Sequence, residues 1–288
     1  LQQRAYQRGR STIWPEFVKN VDTMVGMTMI QPKRPVRQDR LRAVPGLTGF
    51  FAMIDGTGML QHSKGLIPDR DHGYCLDDNV RALMLMNLVG NANNREHYRV
   101  ILTLCSFIQH CHNAENGRLR NFMGYNRNWL EDVGSEDSNG RAVWCFGHTY
   151  RHAALPEVRD WGRQMFERSV DLIADLGSPR TLAFAALGAS LVLEVDPGHR
   201  EARKMLARTG ALLFQLLKAS SRPDWTWFET VLGYDNPRLP EALLRAGQYS
   251  DNEEWIATGI DALRWINQMQ ISEQGYFRPI GSDGFGRA

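Results

Sequence analysis

At 288 residues, with 43% hydrophobic and 23% charged side chains, the chain can bury a core without disulfides or a structural metal, as one large domain or two small ones. Thirty-four Lys and Arg against thirty-two Asp and Glu leave a formal charge of +2, which excludes an electrostatic case for nucleic acid or an anionic membrane as partner. No apolar run approaches the roughly 20 residues of a membrane span, and the start Leu1-Gln2-Gln3-Arg4 lacks a signal-peptide core. Cys75, Cys105, Cys111 and Cys145 are scattered without CxxC spacing and read as reduced thiols of a cytoplasmic protein.

Helical periodicity dominates in chain order. Asp78–Val89 is apolar on most sides and predicts a deeply buried helix; a second follows over 96–112. A third is expected over Ser138–His152 and a fourth over Glu157–Leu176. Ser178-Pro179 pairs a cap with a proline at the first helical position and opens a fifth, to Glu194; a sixth covers 198–219. Asn236-Pro237 repeats that start for a seventh, to Gln248, and the capping box Ser250-Asp251-Asn252-Glu253 opens an eighth, to Met269. The first helix of each pair is richer in small and apolar residues, the second more amphipathic. That alternation predicts an all-α fold of helical hairpins, inner helices inside outer ones, as in a two-layer α/α barrel or toroid.

Between the pairs lie extended segments that resemble one another. Glu115–Phe122 and Glu273–Ile280 share the pattern Glu-x-Gly-x-apolar-Arg-x-apolar, Asp55–His62 is a looser copy, and Asp224–Glu229 holds the equivalent place before the fourth pair. The repeat puts a fifth inner helix past residue 288, so the barrel domain, taken as 37–288, is expected to be truncated at its C-terminus.

Each pair is announced by a polar cluster at the start of its inner helix: Tyr74, Asp77, Asp78 and Arg81; Glu136, Asp137 and Arg141; Arg180; Tyr234, Asp235, Asn236 and Arg238. Parallel inner helices would bring all four to one end of the cavity. Capping and the helix dipole account for one acid at each start, but not for the doubled Asp77-Asp78 and Glu136-Asp137. His62, Asp69, Asp71 and His72 could join Asp77 around a metal; with no histidine pair read at helical spacing, no metal or other cofactor is expected.

Trp225-Thr226-Trp227-Phe228-Glu229 reads as a strand with both indoles and the carboxylate on one face. Stacked indoles beside an acid suit a carbohydrate substrate, the alternative being two core tryptophans. Glycoside cleavage needs one carboxylic acid and one carboxylate. Glu229 is the expected general acid, its pKa raised by the tryptophans, with Asp77, Asp78 or Asp137 as base. Trp225, Trp227, Tyr74, Arg81, Glu136, Arg141, Tyr234, Asp235, Asn236, Arg238 and His62 are the expected substrate-binding set. A non-catalytic glycan-binding domain remains open. A sugar epimerase is disfavoured, since that chemistry calls for cavity histidines and only His62 lies near a motif.

The segments starting at Gly73, Gly134 and Trp227, the last running through Tyr234-Asp235-Asn236-Pro237-Arg238, resemble an uncharacterised bacterial group with a six-hairpin-glycosidase-like (α/α)6 fold. The similarity runs from about Arg37 to the end. Members often follow a two-Rossmann-domain glycosyltransferase in one chain, which implies a covalently linked glycosyltransferase as partner. Arg10–Phe17 resembles the start of the last helix of such a transferase, so residues 1–36 are expected to form an N-terminal helix and linker.

Overall fold

In a computed structural model of the chain, residues 46–91 and 93–280 are described. The expected N-terminal helix and linker, with the transferase-like Arg10–Phe17, lie outside them. Residues from Thr48 onward belong to one unit.

A short α1 (Thr48–Ala52) leads into an antiparallel hairpin of β1 (Leu60–Lys64) and β2 (Ile67–Cys75), and β3 (Phe122–Met123) adds to the far edge of β2 through Tyr74 and Cys75. Four helical hairpins then follow. They are α2 (Leu76–Val89) with α3 (Arg95–His110); α4 (Glu136–His152) with α5 (Pro156–Arg168) and α6 (Val170–Ala174); α7 (Pro179–Val195) with α8 (Arg200–Ser220); and α9 (Arg238–Tyr249) with α10 (Glu253–Met269). Inner helices α2, α4, α7 and α9 pack side by side in that order, each backed by its outer partner. The small, apolar sequence of α7 has the predicted result: Arg180 through Ser190 are buried without a break. Outer helices bury one stripe, as α8 does with Met205, Leu206, Thr209, Leu213 and Leu217.

Inner helices approach closely where glycines allow it. A Cβ on Gly147 of α4 would lie 2.1 Å from the Gly188 carbonyl oxygen of α7, and one on Gly188 would lie 2.5 Å from that of Val143. No other residue permits that spacing.

The repeated extended segments form repeated turns. Isolated antiparallel bridges close at Ile54–Met59, His112–Leu119, Arg222–Trp225 and Ile271–Phe277, before α2, before α4, before α9 and before the place where the next inner helix is expected. The Gly117 and Gly275 positions of the shared pattern both take left-handed φ, 71° and 82°. Two of these turns are locked to the next inner helix by a fully buried asparagine. Asn79 accepts from the Met59 amide (2.8 Å) and donates to the Met59 and Cys75 carbonyls; Asn139 accepts from the Leu119 amide (3.0 Å) and donates to the Leu119 and Ser135 carbonyls.

Several expected boundaries shift. The fourth predicted helix breaks at Ser169, whose hydroxyl donates to the Met165 carbonyl. Pro237, not Asn236, caps α9, because Asn236 is buried and its amide is used elsewhere. Asn252, not Ser250, caps α10, its side chain accepting from the Trp255 amide at 3.1 Å. Among the described residues no helix is long and apolar enough to cross a membrane.

Candidate functional site

The doubled acids find their use between hairpins. Ser135 caps α4 through the Ser138 amide and Cys75 caps α2 through the Asp78 amide, which leaves the first-turn carboxylates free to reach sideways. Asp77 Oδ1 lies 2.6 Å from Arg141 Nε and its Oδ2 2.8 Å from Arg81 Nη2, joining α2 to α4. Glu136 accepts from the Gly177 and Ser178 amides (3.0 and 2.7 Å), so it caps the start of α7 from the neighbouring hairpin. Asp137 accepts from the hydroxyls of Ser178 (2.5 Å), Thr181 (3.1 Å) and Tyr234. Asp78 instead serves its own helix, beside the Cys75 thiol and Arg81.

Arg180, at the start of α7, continues the belt toward α9. Its Nη1 donates to both Glu229 oxygens (2.8 and 2.7 Å), its Nε to the Tyr234 carbonyl (2.7 Å) and its Nη2 to Asn236 (3.3 Å). Arg141 closes the circuit, donating from Nη1 to Asp235 at 2.7 Å while its guanidinium lies 4.2 Å from the centre of the Phe184 ring. Asp235 takes a left-handed φ of 51°, which aspartate tolerates better than most residues. The polar clusters thus do converge at the N-terminal ends of the inner helices.

Beside this belt opens a cavity of about 410 Å³, within the roughly 300–1,000 Å³ usual for small-molecule sites. Arg81, Met84, Arg141, Trp144, Tyr234, Asp235 and Arg238 line it. Trp144 stacks on Phe184 (centroids 5.7 Å apart, planes 10° from parallel), and the Arg238 guanidinium lies 4.7 Å from its centre. Burial raises Asp77 above the ordinary carboxylate range, against the opposing pull of Arg141 and Arg81. Burial and the Asp137 carboxylate push the Tyr234 phenol far up, so it stays protonated.

Five expectations are corrected. Trp225 and Trp227 are 4% and 0% exposed and pack against Trp265, with ring centres 5.0 and 5.9 Å away, so their faces are covered by protein and offer no sugar platform. The segment bends after Trp225 instead of running as a strand, so the assumed alternation of side chains fails. Glu229 does not sit among the indoles: both its oxygens face Arg180, and the Trp225 indole donates to its backbone carbonyl (2.7 Å). Tyr74 is 1% exposed, its hydroxyl donating to Asp55 at 2.5 Å and its pKa raised to about 12 by burial and then by Asp55. It belongs to the core. His62 stands on the exposed β1–β2 hairpin with its ring 4.5 Å from that of His72, and it does not line the cavity.

The expected site set lacks Met84 and Trp144. The signal for them was present: aligning the inner helices at Asn79 and Asn139 puts Arg81 on Arg141 and Met84 on Trp144. One helical histidine pair also escaped the sequence reading, His148 and His152, a turn apart on α4 with ring centres 4.5 Å apart. Among the described residues no group of three or more His, Cys, Asp or Glu is placed to hold a metal ion.

No protein-family model matches the chain. No curated protein matches it in sequence. Solved structures do. A sugar epimerase from a ruminal bacterium is 12% identical with a TM-score of 0.58, the match covering 78% of this chain and 67% of that one. Cellobiose 2-epimerase from Bacillus thermoamylovorans B4167 is 11% identical with a TM-score of 0.62, covering 84% and 73%. At these identities the likeness establishes the fold, an all-α toroid of helical hairpins of the (α/α)6 type.

Proposed function

We propose that this domain is carbohydrate-active and that its ligand binds in the cavity at the N-terminal mouth of the inner helices. The observation that carries the reading is Arg141, 4% exposed, clamped between Asp77 and Asp235 at the edge of that cavity. Two carboxylates bridged by one guanidinium, one of them shifted toward holding its proton, supply the unequal pair that glycoside cleavage requires. Asp235, on the cavity lining, takes the role of carboxylate; Asp77, set behind Arg141 from the cavity with its side chain 26% exposed, takes the role of acid. Glu229 becomes a positioning residue that holds Arg180 against the Tyr234–Asn236 turn.

A second reading, sugar epimerisation, draws support from the two epimerases of like fold. Isotopes separate them. A hydrolase working on an oligosaccharide in ¹⁸O water places one label at each new reducing end. An epimerase leaves the chain length unchanged and, where it works by removing a C–H proton, takes deuterium from D₂O onto the ring carbon. Asp77→Asn is expected to abolish turnover while sugar binding persists; turnover at the wild-type rate would sink Asp77 as the acid. Binding without turnover of any glycan in the unaltered protein would point instead to a glycan-binding domain. We place it in the cytoplasm, supported by four buried, free cysteines, and as partner of a covalently linked glycosyltransferase, supported by the resemblance at Arg10–Phe17.

A further inference from the structure

We infer that the sugar taken at this mouth carries an anionic substituent, a carboxylate or a phosphate, gripped by Arg81 and Arg238; this rests on the carbohydrate reading above. Of the seven residues lining the cavity three are arginines and one, Asp235, is acidic. Arg141 is spent, buried between Asp77 and Asp235. Arg81 and Arg238 differ from it. Their side chains are 48% and 39% exposed, and each is held from its own helix, Arg81 by Asp77 and Asp78 and Arg238 by Glu241 at 2.5 Å. None of these three acids lines the cavity.

Those contacts use Nη1 and Nη2 of Arg81 and only Nη1 of Arg238. Arg81 Nε, and Nε and Nη2 of Arg238, have no protein partner among the described residues. A guanidinium fixed along one edge and open along another is pre-organised for an oxyanion, whose two or three oxygens match its fork. The cavity also meets the N-terminal end of α9 at Arg238, where the helix dipole favours negative charge. Trp144, half-buried between Phe184 and Arg238, adds apolar surface to the cavity beside the ring that bears the anion. A neutral hydroxyl pairs with a guanidinium less strongly than an oxyanion does. Hydroxyls are served better by carboxylates and amides, and of these only Asp235 lines the cavity.

The test is calorimetric titration of the whole chain with glucuronate, galacturonate, glucose 6-phosphate, glucose, galactose and inorganic phosphate, repeated with Arg81→Gln and Arg238→Gln. Both side chains are half-exposed, so thermal melting serves as the folding control. At least one acidic sugar is expected to bind about tenfold or more tighter than its neutral counterpart, with that margin lost in either variant. Whichever acidic series binds tighter identifies the anion as carboxylate or phosphate. Neutral sugars binding as tightly as acidic ones would overturn the inference and leave the carbohydrate reading standing. Undiminished acidic-sugar binding in both variants, or inorganic phosphate binding as tightly as the sugar phosphate, would also overturn it. If no sugar binds, the inference falls together with the reading beneath it.

Discussion

Glu229 and His148 show how far a side chain's surroundings decide its role. Glu229 lies against a guanidinium that is 7% exposed, so removing its carboxylate strands a buried charge. Glu229→Ala is expected to cost about 3 kcal/mol in urea unfolding, near the lower end for broken buried pairs because Tyr234 and Asn236 still accept from Arg180. Lost turnover with unchanged stability in that variant would restore Glu229 as the acid. His148 is 7% exposed on α4, and its Nδ1 has no hydrogen-bond partner among the described residues. Burial, and then the charge of His152, lowers its pKa to about 4. The unfolded chain therefore takes up this proton first, near pH 6.5, and stability falls as the pH drops from there toward 4. The loss is on the order of 3 kcal/mol, and His148→Leu should remove most of that slope in unfolding curves taken across the range. Asp77 works in the opposite sense. Its raised pKa lets the folded state keep a proton that the unfolded state has released, so the stability it contributes is present in acid and lost as the pH rises through its folded value. Asp77→Asn should erase that rising-pH loss. Sequence reading found the acids but not their partners. Arg141 is 94 residues from Asp235 and Arg180 is 49 from Glu229, separations that no local pattern encodes.

Among the elements, the inner helices are the most exacting. α4 and α7 meet at Gly147 and Gly188, where an added methyl would run into a backbone oxygen that cannot move without parting the helices. Gly147→Ala is expected to destabilise by about 3 kcal/mol or more. Gly177→Ala, with no atom within 4 Å of the new methyl, should stay within about 0.5 kcal/mol of the wild type. Thermal melts of the two variants suffice. The asparagine locks make a second claim at this scale. Asn139→Ala leaves the Leu119 amide without its partner in a buried place, while its carbonyl still accepts from the Gly134 amide, and hydrogen exchange at Leu119 should accelerate well before global unfolding. The four hairpins, their order and their inner–outer alternation were legible in the sequence because periodicity and composition report burial directly, whereas the short α1 and the break at Ser169 were not. The turns were legible as repeats, since Gly117 and Gly275 need the same left-handed backbone. The Trp225–Glu229 segment was not, because it bends and its indoles are claimed by Trp265, forty residues after Trp225.

For the molecule as a whole, the polar clusters have a double character. Most of their hydrogen bonds stitch one hairpin to the next, Asp77 to Arg141, Asp137 to Ser178 and Thr181, Arg180 to Glu229. What remains after this stitching is a cavity lined by Trp144, Tyr234, Asp235 and three arginines, placed where the inner helices begin. Among the eight tryptophans of the sequence, Trp225 and Trp227 fill the core and pack on the half-buried Trp265, while Trp144 lines the cavity. The most direct measurement is a crystal of the chain soaked with an oligosaccharide it binds. Sugar density is expected between Trp144, Arg238 and Tyr234, with a hydroxyl in reach of Asp235 and any acidic group at Arg81 and Arg238. Density at any other surface, with this cavity left open, would contradict the account.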